Sequence, residues 1–383
     1  MMSQDFEDIR PFHDEEVPSI IRKLLQEERF VNVVKHVLPD VDIDDLFIKL
    51  RELTTKDEFQ TKMSAPMVWR LVNHSSSGVD GGGFEELRNL GSCTFISNHR
   101  DIILDSAILS VLLLKYGFRG CEIAIGDNLL VFPWIENLVR LNKSFIVKRS
   151  VSVRQMLTSS QKLSAYIHHA INDKKEMVWI AQREGRAKDS NDQTQESLIK
   201  MLSMGGQSDF LSNIRNLNIV PLSLSYEYDP CDYLKAKEFQ LKRDDPEYQK
   251  PQSEDLLNME TGLFGQKGRI HFQVGKPLNA TLSETCKEQC KAELLQVVVK
   301  AIDNEIHSCY NIFPGNYVAL DLLECGSRFS KSYTATEKVT FENYLQMQLA
   351  KIEIPNKDED FLRIKMLEMY SNPLINKLAA LEN

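Results

Sequence analysis

Residues 94–105 read Thr94-Phe95-Ile96-Ser97-Asn98-His99-Arg100-Asp101-Ile102-Ile103-Leu104-Asp105. An apolar run ends in a polar break at 97–101, and a second apolar run, 102–114, follows at helical spacing. This is the pattern of a buried strand delivering residues into a turn that opens a helix. His99 then stands at a strand's carboxyl end. Open α/β sheets hold ligands there, because the crevice and the positive dipole end of the next helix meet at that edge. His99 and Asp105 can form a base and its orienter, the carboxylate fixing the imidazole tautomer and stabilising the imidazolium that appears when His99 takes a proton from a hydroxyl. A surface pair or a helix cap is the plainer alternative, and Asp101 is a good N-cap by itself.

Outward from this stretch the chain alternates. Strands are expected at 92–97, 121–125, 144–148, 176–181, 218–225 and 269–274, with helices at 102–116, 128–141, 150–172 and near 195–215. Such alternation with apolar strands implies an α/β fold, a mostly parallel sheet flanked by helices on both faces. Residues 16–73 read as helices. The run Ser75-Ser76-Ser77-Gly78 with Gly81-Gly82-Gly83 reads as a loop and a boundary. After Pro277 the chain is helical again, at 283–307, 336–352 and 357–381. The expected division is therefore an N-terminal helical accessory region (1–80), an α/β domain (81–282) and a C-terminal helical region (283–383). The charged stretch 227–268 is too long for an ordinary connection and reads as an irregular insertion covering the site or a mobile flap. Pro221 argues for an edge position or a bulge in its strand.

At 383 residues, 42% hydrophobic and 26% charged, the chain has the composition of a globular protein with a sizeable core. Its 46 basic and 55 acidic residues leave a formal charge of −9, which suggests no nucleic-acid partner. Against that balance Arg140, Lys143, Lys148, Arg149 and Arg154 form a basic island with no acid among them. Seven cysteines without Cys-x-x-Cys spacing point to reduced thiols and a cytoplasmic protein, and Cys286 and Cys290 read as ordinary helix residues. The acidic start carries no signal architecture, and no apolar run reaches the ~20 residues of a spanning helix. Peripheral contact at the inner face of a membrane stays open. Phe132, Trp134, Leu138 and Leu141 read as core rather than as an acyl groove or membrane patch.

Two further stretches put charge at strand ends. In Ser144-Phe145-Ile146-Val147-Lys148-Arg149-Ser150, Arg149 can grip a phosphate through its planar fork. In Gln182-Arg183-Glu184-Gly185-Arg186-Ala187-Lys188, cations would meet an anion, Glu184 would accept from a hydroxyl or position an arginine, and Gly185 would let the backbone approach a ligand. The bland reading of both is a solvated, charged turn.

Taken in order, Asn98-His99 with a downstream Asp, Phe145-Ile146-Val147-Lys148-Arg149, Glu184-Gly185-Arg186 and Ile219-Val220-Pro221-Leu222 resemble the four sequence blocks of the glycerolipid acyltransferases, the glycerol-3-phosphate and lysophosphatidate acyltransferase superfamily. The resemblance covers roughly residues 80–280. Gly126-Asp127-Asn128-Leu129 and Ser223-Leu224-Ser225-Tyr226-Glu227 look more like the glycerol-3-phosphate branch, and Gly275-Lys276-Pro277-Leu278 is similar to that domain's end. Two departures stand out. The family's Asp is fifth after its His; here Leu104 is fifth and Asp105 sixth, so a one-residue bulge restores the geometry or Asp101 orients the ring instead. The family's Glu-Gly-x-Arg-Ser-Arg is replaced by Glu184-Gly185-Arg186-Ala187-Lys188, so either Glu184 keeps its role in a tighter loop or the two cations keep theirs.

The resemblance implies acyl transfer from an acyl thioester, acyl-coenzyme A or acyl carrier protein acting as co-substrate, to a hydroxyl of glycerol 3-phosphate or a related phospholipid precursor. His99 would be the base, Asp105 its orienter, and Arg149, Glu184, Gly185, Arg186 and Lys188 the substrate-binding set. Backbone N–H groups at 101–105 would receive the oxyanion. No metal, no covalent nucleophile and no further cofactor is called for. A catalytically silent binder of lipid phosphates or acyl carriers, or a thioester hydrolase, are the alternatives.

Overall fold

The computed structural model describes residues 5–149, 152–251, 253–282 and 290–382. Cys286, Ser150 and the expected helix starts at 150 and 283 lie outside them. Seven strands form one sheet: β1 (Gly78–Gly82), β2 (Thr94–Ser97), β3 (Glu122–Gly126), β4 (Ser144–Val147), β5 (Val178–Ala181), β6 (Ile219–Tyr226) and β7 (Arg269–Val274), in the order β1-β7-β6-β2-β5-β3-β4. Every pairing is parallel except β6 with β7. The expected mostly parallel α/β fold is therefore the one found.

Alternate side chains of the strands feed two separate cores, because successive residues of a strand point to opposite faces. Ile96, Phe145, Val178, Ile180 and Ile219 pack on one side beneath the helices Val153–Asn172, Glu196–Leu202 and Lys291–Ser308. Phe95, Ile123, Trp179, Val220, Leu222 and Leu224 pack on the other, against the helix Leu104–Lys115. That helix is apolar nearly all round and buried from Leu104 to Leu113 except at Ala107, as a helix wedged between a sheet and further chain must be. Burying each such Leu or Ile contributes roughly 1.5–3 kcal/mol.

Four expectations need correcting. Gly78–Gly82 is not a loop but the edge strand β1, parallel to β7. Its glycines and Asp80 hide it from any propensity argument, and pairing rather than side chains makes it a strand. Residues 227–268 are not irregular: they contain the helices Asp232–Asp244 and Ser253–Phe264. The first buries Asp232, Lys235, Glu238 and Gln240 through polar pairs, so no apolar stripe announced it. The helix Pro314–Leu323 was likewise unanticipated. Pro221 lies on an internal strand, flanked by β2 and β7. Its carbonyl accepts from Gly275 N at 2.9 Å, so its missing N–H also faces β7, one residue beyond the last antiparallel pair, Leu222 with Val274.

The N-terminal helices make their own core, into which Leu141 is buried and against which Trp134 and Leu138 pack, while Arg29 lies over the Phe132 ring at 4.6 Å. The C-terminal helices form a fourth core with Ala236 of the insertion. Asp232 ties these parts together, accepting from Tyr344 and Tyr370 hydroxyls at 2.7 Å each and from Gln348 Nε2 at 2.8 Å.

Candidate active site at the carboxyl edge of the sheet

β2, β5, β3 and β4 run parallel, so the residues that follow them emerge at one edge. Asn98 continues the ladder after β2 ends: its Oδ1 accepts from Leu224 N at 2.8 Å and its Nδ2 donates to Leu224 O at 2.9 Å. The side chain thus imitates a backbone pair and fixes where the next residue leaves the sheet.

That residue is His99. Its Nδ1 lies 2.7 Å from Asp105 Oδ2, with the His side chain 14% exposed and the Asp fully buried. Asp105 Oδ2 also accepts from the N–H groups of Arg100 at 2.6 Å and Asp101 at 3.0 Å, and Oδ1 accepts from Tyr226 Oη at 2.9 Å. With Nδ1–H given to a carboxylate, the imidazole lone pair is on Nε2. Trp179 meets the ring edge to face at 5.8 Å, and its indole N–H is held by Ser97 Oγ at 3.0 Å.

The two aspartates divide the work at this turn. Asp101 Oδ1 accepts from Ile103 N at 2.9 Å and Leu104 N at 2.7 Å, capping the helix. Asp105, one helix residue further in, reaches the ring. The extra residue is absorbed in the turn before Leu104. Burial, reinforced by the charge of Asp105, pushes the Asp101 carboxyl above its ordinary range. Of the expected backbone oxyanion donors, the N–H groups of Asp101, Ile103 and Leu104 donate to carboxylates.

The loop after β5 brings the other predicted residues to the same edge. Gln182 N donates to Ser97 O at 2.8 Å, which sets this loop beside the His99 turn. Gly185 has φ +68° and open space where a Cβ would sit, so its glycine answers to the left-handed backbone rather than to crowding. Arg186 donates through Nη2 to Asn258 Oδ1 at 2.8 Å, while its buried Nη1 has no partner among the described residues. Buried Arg183 Nε, Arg100 Nη1 and both polar atoms of Gln182 are equally unpartnered. Arg186 acts on Asp101, two residues from His99, as well as on Asp229 and Cys231.

Lys188 lies on the same loop, paired within the protein. Its ammonium is engaged by Glu238 of the insertion, which also takes Lys242 at 2.9 Å. The sequence placed it correctly on the loop, but its partner comes from fifty residues downstream. Arg149 and Glu184 are brought together, 3.7 Å apart at an exposed position, and Asp127 Oδ1 accepts from Arg149 N at 3.0 Å. β4 lies three strands from β2, about 14 Å at the usual strand spacing. Arg149 therefore stands at the rim and Arg186 near the turn.

The insertion covers the site. A Cβ at Gly262 would come 2.2 Å from Asp101 Oδ2, so this position on the helix Ser253–Phe264 has room only for glycine. Asn258, four residues earlier on the same helix, holds Arg186. Sequence reasoning missed Asn258, Arg100 and Tyr226. Arg100 is buried against Asp192 at 2.7 Å, with Asp192 also bonded by Tyr310 Oη at 2.5 Å. Tyr226 could have been found: it shares a face with Leu222 and Leu224 by the alternation of β6, and that face packs on the helix that carries Asp105.

Residues 79–223 match the family model described as Acyltransferase. A comparison with curated proteins finds no match. Among solved structures, the crystal structure of the 1-acyl-sn-glycerophosphate (LPA) acyltransferase PlsC from Thermotoga maritima aligns with 11% identity and a TM-score of 0.36, covering 75% of this chain and 93% of that one. The family match spans the His99 turn, the Arg149 strand end and the Arg186 loop, so this segment of the chain is similar to the acyltransferase family.

Proposed function

We propose that the protein transfers a fatty acyl group from an acyl thioester, on coenzyme A or acyl carrier protein, to a hydroxyl of a phosphate-bearing glycerolipid precursor such as glycerol 3-phosphate or lysophosphatidate. The observation that carries the reading is the 2.7 Å contact of His99 Nδ1 with buried Asp105 at the carboxyl edge of the sheet. His99 Nε2 takes the hydroxyl proton as the alkoxide oxygen bonds to the thioester carbonyl carbon. The tetrahedral oxyanion then collapses, the C–S bond breaks, and the proton passes from Nε2 to the departing thiolate. Asp105 orients the ring and offsets the imidazolium charge. The acceptor's phosphate is taken by Arg186, whose buried Nη1 is unpartnered, with Arg149 at the rim. Lys188 is left out of this set because Glu238 occupies it.

No described helix is long and apolar enough to cross a membrane. Lipid substrates are reached on this reading by peripheral contact from the cytoplasmic side. Lys148 and Arg149 are exposed at the end of β4, and Met156 and Leu157 follow it, 52% and 57% exposed. The six described cysteines are all free, which supports a reducing compartment.

The test is thiol release from palmitoyl-coenzyme A with and without glycerol 3-phosphate or lysophosphatidate. Acceptor-dependent release, lost in His99→Ala, is the expected result. Acceptor-independent release would make the protein a thioester hydrolase, and no release with tight phosphate binding would make it a silent binder.

A further inference from the structure

Tyr226 closes β6, outside the segment that matches the family, and its phenol reaches back to the carboxylate that holds the site's imidazole. Asp105 has one oxygen crowded by His99 Nδ1 and two backbone N–H groups, and a second oxygen on which the Tyr226 hydroxyl sits at 2.9 Å. Without the phenol, Oδ1 would have no described side-chain donor, and the buried carboxylate would be held on one side only. The helix that carries Asp105 and the strand that carries Tyr226 share one apolar core, so their spacing is set by Leu104, Leu222 and Leu224 rather than by the polar contact itself.

We propose that Tyr226 is a positioning residue of the acyl-transfer site, its O–H locking the Asp105 carboxylate plane toward His99 and tempering the charge that the imidazole feels. The inference rests on the reading of His99 as the base. A phenol can serve this way only while protonated. Burial, and next the adjoining charge of Asp105, hold its ionisation well above the ordinary tyrosine range, so it donates throughout the working pH range. The other charges facing the pair are Arg100 and Asp101 on the turn, Asp229 beyond β6 and, through Asp101, Arg186 and Lys267. A Tyr226→Phe change leaves all of these in place.

The sign of the effect follows from the donor. An O–H bonded to Asp105 draws off part of its negative charge. Removing it leaves a carboxylate that stabilises the imidazolium more strongly, so the proton leaves His99 at a higher pH. In Tyr226→Phe, the acid limb of kcat/KM for palmitoyl-coenzyme A should move up by about 0.5–1 pH unit. The acceptor is glycerol 3-phosphate or lysophosphatidate, whichever turns over. Activity below the limb should fall several-fold. A variant that merely loosened packing would lower the rate at every pH alike.

Nitrogen NMR of the His99 ring, assigned by its loss in His99→Gln, reads the same shift without any turnover. An upward move of the ring's titration in Tyr226→Phe supports the proposal. A titration that stays within about 0.2 unit of the wild type, or moves down, overturns it. The two readings fail separately. If His99→Ala keeps its activity, the base assignment falls, whereas an unmoved ring titration in Tyr226→Phe with His99→Ala inactive removes the role of Tyr226 alone.

Discussion

Replacing Asp105 by Asn keeps the shape of the side chain and removes its charge. The amide oxygen would take the crowded position, because three donors converge there, from His99, Arg100 and Asp101. The amide nitrogen would then face Tyr226 Oη, which can rotate and accept. Folding should survive, with four charge-assisted bonds turned into neutral ones at a net loss of about 1–3 kcal/mol once the relief of a buried charge is counted. Catalysis should suffer more. An imidazolium about 4 Å from a carboxylate, at an effective dielectric of about 20, is stabilised by about 4 kcal/mol. Losing that raises the barrier enough to slow turnover by roughly 10³-fold. The assay is acceptor-dependent thiol release from palmitoyl-coenzyme A, with circular dichroism and urea unfolding as folding controls. The loss should fall on kcat, with KM for the acyl donor within a few-fold of wild type. An Asp105→Asn enzyme within tenfold of wild-type kcat, or an Asp101 variant that loses more, would refute the assignment of Asp105 as the residue that holds the imidazole.

Other expected outcomes follow from the same geometry. Asp101→Ala strips the cap from the helix Leu104–Lys115 and should lower the unfolding free energy by about 1 kcal/mol in urea titrations while activity stays within a few-fold. Arg186→Lys should raise KM for the phosphate-bearing acceptor by about tenfold or more, since one ammonium cannot both hold Asn258 and fork onto an anion, and KM for the thioester should be unmoved in steady-state assays. Lys188→Met should cost stability and spare turnover, because Glu238 loses its nearer cation but keeps Lys242; a raised acceptor KM instead would return Lys188 to the binding set. Burial, and next the charge of Asp229, push the Asp232 carboxyl up to about 7 from an ordinary 3.8. The folded state then holds a proton that the unfolded chain releases, so stability falls as pH rises from about 4 to 7, by at most about 1.4 kcal/mol per pH unit. Asp232→Asn should flatten that slope in unfolding measured across pH.

Much of the site could be read in linear order because its residues follow strands. Once 94–97 is a buried strand, Asn98 and His99 must emerge at its carboxyl end, and Arg149, Arg183 and Arg186 emerge beside them by the same rule. Apolar runs at the periods of a strand or a helix carry that information locally. The fate of each charge is not local. Whether Asp101 or Asp105 takes the imidazole depends on where a turn spends one extra residue. Whether Lys188 is free depends on Glu238, and β1 exists only because β7 lies next to it.

The order of blocks and the alternation of apolar runs determined the class of fold, the edge on which the candidate site residues gather and the place of His99 among them. Tertiary structure alone decided which carboxylate lies against that imidazole, that a tyrosine from β6 stands behind it, and that the insertion's two helices reach the turn and the neighbouring loop. The reason is range: hydrophobic periodicity is fixed within a few residues, whereas a hydrogen bond between Tyr226 and Asp105 spans 121 positions and forms only when the core they share has packed.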